Sequence, residues 1–339
     1  MGAQPVVSRR PGHEGIIEVR HIALQGRQQV RVPRGVVRLS AHAGNGSGLE
    51  LQAWQHDEQL PDEWGHPTML VLHDVTEETL VRVRPADAGA FAEHTLVRLS
   101  LRIDSPSEQF EITVRPVDVG SLPLRDLVSV EPDGDQLRVT ARDAVRDLRV
   151  SELARRTRGE ARRQLGYDRV RDDRAVCLAI GIDVSASMAH AVRDDSLRAA
   201  VDVLVGLSQV VGDEDEPPRL CLLGEDPTWL PPVELTQTAA ALAAEIERHG
   251  FELGSGCRLP TLPARRRTVG FVITDGVPAD FEPGPSGPVG LVVVGGGVTA
   301  EEEAAGRITA LPGPDQDLTP ARLTAVVGSL LRHCAVTAR

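Results

Sequence analysis

Residues 175–183 read AVCLAIGID, an unbroken apolar run ending in an aspartate, and VSASM follows at once at 184–188. A strand with one wet face alternates apolar and polar side chains. A run without interruption therefore belongs to a strand covered on both faces, as in a parallel sheet between helices. Two more such runs follow, TVGFVITDG at 268–276 and GPVGLVVVGGG at 287–297, with RLCLLGED at 219–226 as a further strand. Helical segments intervene or follow: LRAAVDVLVGLSQVV (197–211), TAAALAAEIERHG (238–250) and PARLTAVVGSLLRHCA (320–335). Alternation of this kind predicts a doubly wound α/β domain over 174–337.

Upstream the pattern is different. Residues 1–14 read as a flexible tail, and 15–120 hold short runs rich in Val, Leu, Ile and Arg, among them GIIEVRHIAL, TLVRVRP, HTLVRLSLRI and FEITVRPVD. In HTLVRLSLRI the apolar residues fall near a period of two, the mark of a strand with one wet face. Turn signals at Gly44-Asn45-Gly46 and Asp104-Ser105-Pro106 separate such runs, which predicts an all-β, sandwich-like domain. Residues 121–173 read as a linker, a hairpin around Asp133-Gly134 and then a basic helix from Asp147 to Leu165. Its arginines are expected on a solvated helix face, or as a docking surface for an acidic partner.

Composition excludes much. All the basic residues are arginine, so a Walker A clamp, a kinase strand lysine and a Schiff base are absent. Neither HExxH, a GxSxG elbow nor a GxGxxG fingerprint occurs, and a net charge of −12 argues against nucleic acid as a partner. Cys177, Cys221, Cys257 and Cys334 form no CxxC pair. The N-terminus lacks an apolar leader core, and no run approaches the roughly 18 apolar residues of a membrane span, so a cytoplasmic protein is expected. Aromatic residues are only 3%, which leaves core building to Val, Leu, Ile and Ala.

Two of the buried runs end in acidic residues, Asp183 and Asp275, and in open α/β sheets the strand C-terminal ends line the ligand crevice. Asp183, Ser185 and Ser187 stand at i, i+2 and i+4, so one tight loop is able to aim three oxygens at one centre. Such donors suit a hard divalent cation, Mg²⁺ or Mn²⁺, with a coordination position left for an incoming Asp or Glu. The alternative is that these residues simply cap the following helix. Weaker candidates are Gly295-Gly296-Gly297, read as a strand-end turn, the run Asp213-Glu214-Asp215-Glu216, read as a solvated loop, and His190, read as a helix-surface residue.

The motifs Asp183-Val184-Ser185-Ala186-Ser187-Met188 and Ile273-Thr274-Asp275-Gly276 resemble those of the von Willebrand factor A family with its metal-ion-dependent adhesion site, and the resemblance covers about 174–337. It implies a Rossmann-like fold, a cation held by Asp183, Ser185, Ser187 and Asp275, and ligand binding without catalysis. The family places a threonine ligand in a Gly-rich loop, where this chain reads Leu253-Gly254-Ser255-Gly256-Cys257-Arg258-Leu259. Cys257 stands at the threonine position. A thiol is a poor Mg²⁺ ligand, so the site is weakened, or Ser255 substitutes, or the metal preference is shifted, or Cys257 is a small buried residue outside the coordination shell.

The resemblance therefore implies a non-catalytic adaptor that engages a partner's acidic residue through the cation, with an AAA+ ATPase or a stress-response complex as the family-level partner. Two other readings stay open. A metal-dependent phosphohydrolase would use Asp183 as nucleophile, although its i+2 position is Ser185 rather than a second carboxylate. A metal-free structural scaffold would follow if the cation site has been lost.

Overall fold

The alternating segments of the first half become strands of two sheets. The computed structural model describes the chain apart from residues 1–5, 13–14, 27, 57, 62–65, 88, 106–107, 143–149, 171–173, 214–215, 234–236, 253–266, 279–280, 282–288, 296–297, 300, 302, 304–306, 313–317 and 336–339. The described residues divide into two compact units, 1–147 with 166–168, and 148–165 with 169–339.

In the first unit the strands are β1 (Val6–Gly12), β2 (Gly15–Leu24), β3 (Gln29–Pro33), β4 (Val36–Ala43), β5 (Leu49–Gln55), β6 (Glu58–Gln59), β7 (Met69–Leu72), β8 (Thr79–Pro85), β9 (Leu96–Asp104), β10 (Glu108–Asp118), β11 (Arg125–Asp133) and β12 (Gln136–Ala141). One sheet has the order β1-β2-β10-β9-β4-β7 and the other β3-β12-β11-β8-β5-β6. Neighbours run antiparallel except β2 and β10, which are parallel. The period of two decides the burial. In β9, Val97, Leu99, Leu101 and Ile103 are buried while Leu96, Arg98, Ser100 and Arg102 face outward. The inward residues of both sheets, such as Leu101 and Ile112 from one and Val83 and Val130 from the other, join a single core, as two packed sheets require.

Two sequence-based boundaries move. Residues 6–12, expected in a flexible tail, form β1, which pairs with β2 from Val6↔His21 to Gly12↔Gly15. A polar, Pro-containing segment is tolerated there because an edge strand needs ladder partners on one side only. The hairpin expected in the linker is β11 and β12, and it lies inside the second sheet between β8 and β3. Its burial pattern, iBiBiB in β12, shows the one dry face that ties it to that core.

The second unit contains α1 (Glu152–Leu165), β13 (Cys177–Asp183), a 3₁₀ turn (Ala186–Met188), α2 (Ala189–Arg193), α3 (Ser196–Val211), β14 (Arg219–Leu223), β15 (Thr228–Trp229), α4 (Thr238–His249), β16 (Thr268–Thr274), β17 (Val289–Val294), β18 (Ile308–Leu311) and α5 (Pro320–His333). The sheet order is β15-β14-β13-β16-β17-β18, parallel throughout except for the short edge strand β15. Taken in chain order, the parallel strands stand 2-1-3-4-5, one of the two common doubly wound orders. β13 and β17 are buried at every position, as their unbroken apolar runs require.

The basic helix α1 belongs to this unit and not to a solvated linker. Helix α3 has 12 of its 16 residues buried, which leaves only a narrow wet stripe around Arg198, and such a helix needs cover on its outer side as well as on the sheet. That cover is α1, which turns Ala154, Thr157, Ala161 and Leu165 inward and packs against α3 and α5. Gly206 makes the approach possible, since a Cβ there would stand 2.3 Å from the Ala154 carbonyl oxygen. Several of the arginines are spent within the unit: Arg162 is 2% exposed, Arg156 donates to the Leu318 carbonyl (3.0 Å) and Arg163 donates to Glu160 and to Thr324 Oγ1 (3.1 Å). Ser151 caps the helix by accepting from the Ala154 N–H (3.1 Å).

Candidate metal centre

Asp183 ends β13 after the fully buried Ile180 and Ile182, and strand β16 runs beside it in parallel with Ile182 opposite Ile273. One residue further along each strand, Asp183 meets Thr274. The chain leaves β13 to build β14 on one side and returns to build β16 on the other, so the β13/β16 boundary is the point where the winding reverses. Loops diverge there and leave a crevice beyond the strand ends. Asp183 and Asp275 stand on its two sides.

Hydrogen bonds hold the oxygens together. Asp183 is 4% exposed; its Oδ1 accepts from the Ser185 N–H (2.8 Å) and its Oδ2 from the Thr274 hydroxyl (2.8 Å). Ser185 Oγ lies 3.0 Å from Ser187 Oγ, and Ser187 Oγ donates to Asp275 Oδ1 at 3.0 Å. The structure thus brings together Asp183, Ser185, Ser187 and Asp275 in one linked group that opens to solvent at Ser187. The capping alternative loses its role for Ser185, whose side chain makes no cap hydrogen bond although it stands at the N-cap of the 3₁₀ turn. Its hydroxyl faces Ser187.

Among the described residues neither Asp183 nor Asp275 has an Arg or His within ion-pair distance. A carboxylate held almost out of water without a counter-cation is costly, and neutral donors offset only part of that cost. The donor set consists of oxygens alone, which fits a hard dication. Among the described residues no group of three His, Cys, Asp or Glu side chains converges on a point, so any ion here depends on hydroxyls as well as carboxylates.

Two further residues position the group and were not singled out in the sequence. Thr274 was visible only as part of a motif; its hydroxyl orients Asp183. Glu252 clamps the loop by its backbone, accepting from the Ala186 N–H (2.9 Å) and donating to the Val184 carbonyl (2.9 Å). Its carboxylate accepts from the Glu225 N–H (2.7 Å) and lies over Gly224, where any Cβ would collide with it. A clamp made by main-chain atoms leaves no residue-type signal. Cys257 and Ser255 lie outside the described residues, as do Gly296 and Gly297. His190 is exposed on α2.

No family model matches this chain, and no curated protein matches it. Among the described residues no helix is long and apolar enough to cross a membrane.

Proposed function

We propose that the α/β unit is a von Willebrand factor A type module that takes up one divalent cation, Mg²⁺ or Mn²⁺, and through it binds a protein partner presenting Asp or Glu, without catalysis. The observation that carries this reading is the nearly buried Asp183, held by neutral donors and linked through the β13/β16 crevice to two hydroxyls and a second carboxylate. Asp183, Ser185, Ser187 and Asp275 would hold the ion. When bound, it supplies a positive centre for the partner's carboxylate. The strand order, with its antiparallel edge strand β15, supports the same reading. Thr274 and Glu252 keep the donors in place before any ion arrives. An AAA+ ATPase or a stress-response complex in the cytoplasm is the partner that the family resemblance suggests.

The test is calorimetric titration of the metal-stripped protein with Mg²⁺, Mn²⁺ and Zn²⁺. Saturable binding is expected, abolished in Asp183→Ala, with tighter Mg²⁺ binding in Cys257→Thr if the cysteine weakens the site. Absence of saturable binding by the parent would replace the proposal with a metal-free scaffold. Steady phosphoester turnover that vanished in Asp183→Asn would replace it with a phosphohydrolase.

A further inference from the structure

The α/β unit carries a cleft between α3 and α4 whose lining is apolar apart from two charged side chains. On α4, Ala239, Ala240 and Ala243 line it, and their small side chains leave open a volume of about 310 Å³ that larger residues would fill. Ala240 and Ala243 are exposed. Val192 on α2 also lines the cleft and is 37% exposed, one of four large apolar residues left so exposed among the described residues. These side chains are surface, so a ligand is able to touch them without opening the core. Val192 left in water forgoes the burial that an apolar side chain of its size normally gains.

The two charged residues are Asp195 and Arg198. An acidic residue three positions before an arginine ordinarily closes on it along a helix. Glu152 with Arg155, Glu160 with Arg163 and Glu245 with Arg248 all do so in this chain. Asp195 and Arg198 have the same order and spacing, yet no ion pair joins them. The backbone accounts for the difference. Asp195 lies at φ +62°, in the left-handed region that Asp tolerates, so its side chain leaves the helical path just before α3 begins. Its carboxylate makes no cap hydrogen bond. Arg198 is exposed and makes no hydrogen bond among the described residues; Asp202, one turn along α3, acts on it through space and is itself bonded to the Ser151 hydroxyl. A carboxylate and a guanidinium thus line one cleft without neutralising each other by contact.

We propose that this cleft binds a free aliphatic α-amino acid of the size of valine or leucine, with Asp195 accepting from its ammonium group, Arg198 donating to its carboxylate, and its side chain lying against Val192 and the α4 alanines. A zwitterion satisfies two opposite charges that are held apart, whereas a plain cation or anion leaves one of them without a partner. The volume stands at the lower end of the range for small-molecule sites, which suits a single amino acid. Recognition here needs no cation in the β13/β16 crevice.

Isothermal titration of the metal-stripped full chain with L-leucine and L-valine tests it; without divalent cations their carboxylates have no metal to ligate. 4-Methylpentanoate, which lacks the ammonium group, and glycine, which lacks the side chain, are the comparisons. Saturable binding of leucine or valine is expected, weakened about tenfold in Arg198→Gln and in Asp195→Asn, which keeps a residue that tolerates the left-handed turn, and lost in Ala243→Leu, which fills the cleft. Thermal melts accompany each titration, and the variants that melt cooperatively decide. Absence of saturable binding at millimolar probe, equal binding by the parent and either charge variant, retained binding in Ala243→Leu, or 4-methylpentanoate or glycine binding as tightly as leucine would each overturn the proposal.

Discussion

Thr274 on β16 donates its hydroxyl to Oδ2 of Asp183 on β13 at 2.8 Å, across neighbouring parallel strands and 91 residues of chain. The bond is buried, and its acceptor is a carboxylate with little water. Thr274→Val keeps the shape and removes the donor, so a loss of about 1.5–3 kcal/mol is expected, the range for a hydrogen bond to a charged group. Thr274→Ser should restore most of it. Urea unfolding of the three proteins, compared at equal denaturant slope, is the measurement; a Val variant as stable as the parent would remove Thr274 as a positioning residue.

Metal occupancy should be visible as stability. A cation that binds only the folded chain stabilises it by mass action, by about 2.7 kcal/mol at a hundredfold excess over Kd. Addition of Mn²⁺ is therefore expected to raise the melting temperature of the parent and leave Asp183→Ala unmoved, with Ser187→Ala intermediate. A similar rise in the parent and Asp183→Ala would place the ion elsewhere.

Gly206 tests whether α1 is part of the α/β core. A methyl group there would lie 2.3 Å from the Ala154 carbonyl oxygen and 2.8 Å from Thr157 Cβ, and neither neighbour is the end of a flexible chain. Gly206→Ala would improve helix propensity yet force α1 and α3 apart, and a net loss of about 1–3 kcal/mol is expected from overpacking. Chemical denaturation reads it. A stabilised variant would mean that α1 gives way freely.

Asp202, half-buried on α3, titrates above the ordinary aspartate range because burial disfavours its charge more than the Ser151 hydroxyl and the nearby Arg198 favour it. A folded-state pKa above the unfolded one means that the native state binds the proton more tightly. This contribution to stability is complete below the ordinary aspartate pKa, about 3.9, and is lost as pH rises through the higher folded value. Asp202→Asn should therefore raise stability at neutral pH and flatten that part of the profile. Melting temperatures across the acid range check it, and a variant less stable than the parent at neutral pH would show that the ionised form is the better partner.

Periodicity carried much of the architecture. The unbroken runs around Ile180 and Val292 announced strands dry on both faces, and the alternation from Val97 to Ile103 announced a half-wet one. Strand β18, with only the four residues ITAL, was too short to stand out, and the tail strand β1 has the composition of an edge. The basic character of α1 pointed toward solvent because seven arginines in 149–169 outweighed its four small or apolar inward residues. The contrary signal lay in another element, the narrowness of the wet stripe on α3.

By itself the sequence determined which of the longer strands are dry on one face and which on both, and which loop carries Asp183, Ser185 and Ser187 on one short arc. Those are local properties, written in side-chain spacing along one strand or helix. Tertiary structure alone decided that the Ser187 hydroxyl donates directly to Asp275, that Thr274 and Glu252 hold the group in place, and that α1 covers α3. Spacing records that a face must be covered, but the covering partner follows from strand order and close packing, in which a glycine at 206 settles which atoms meet.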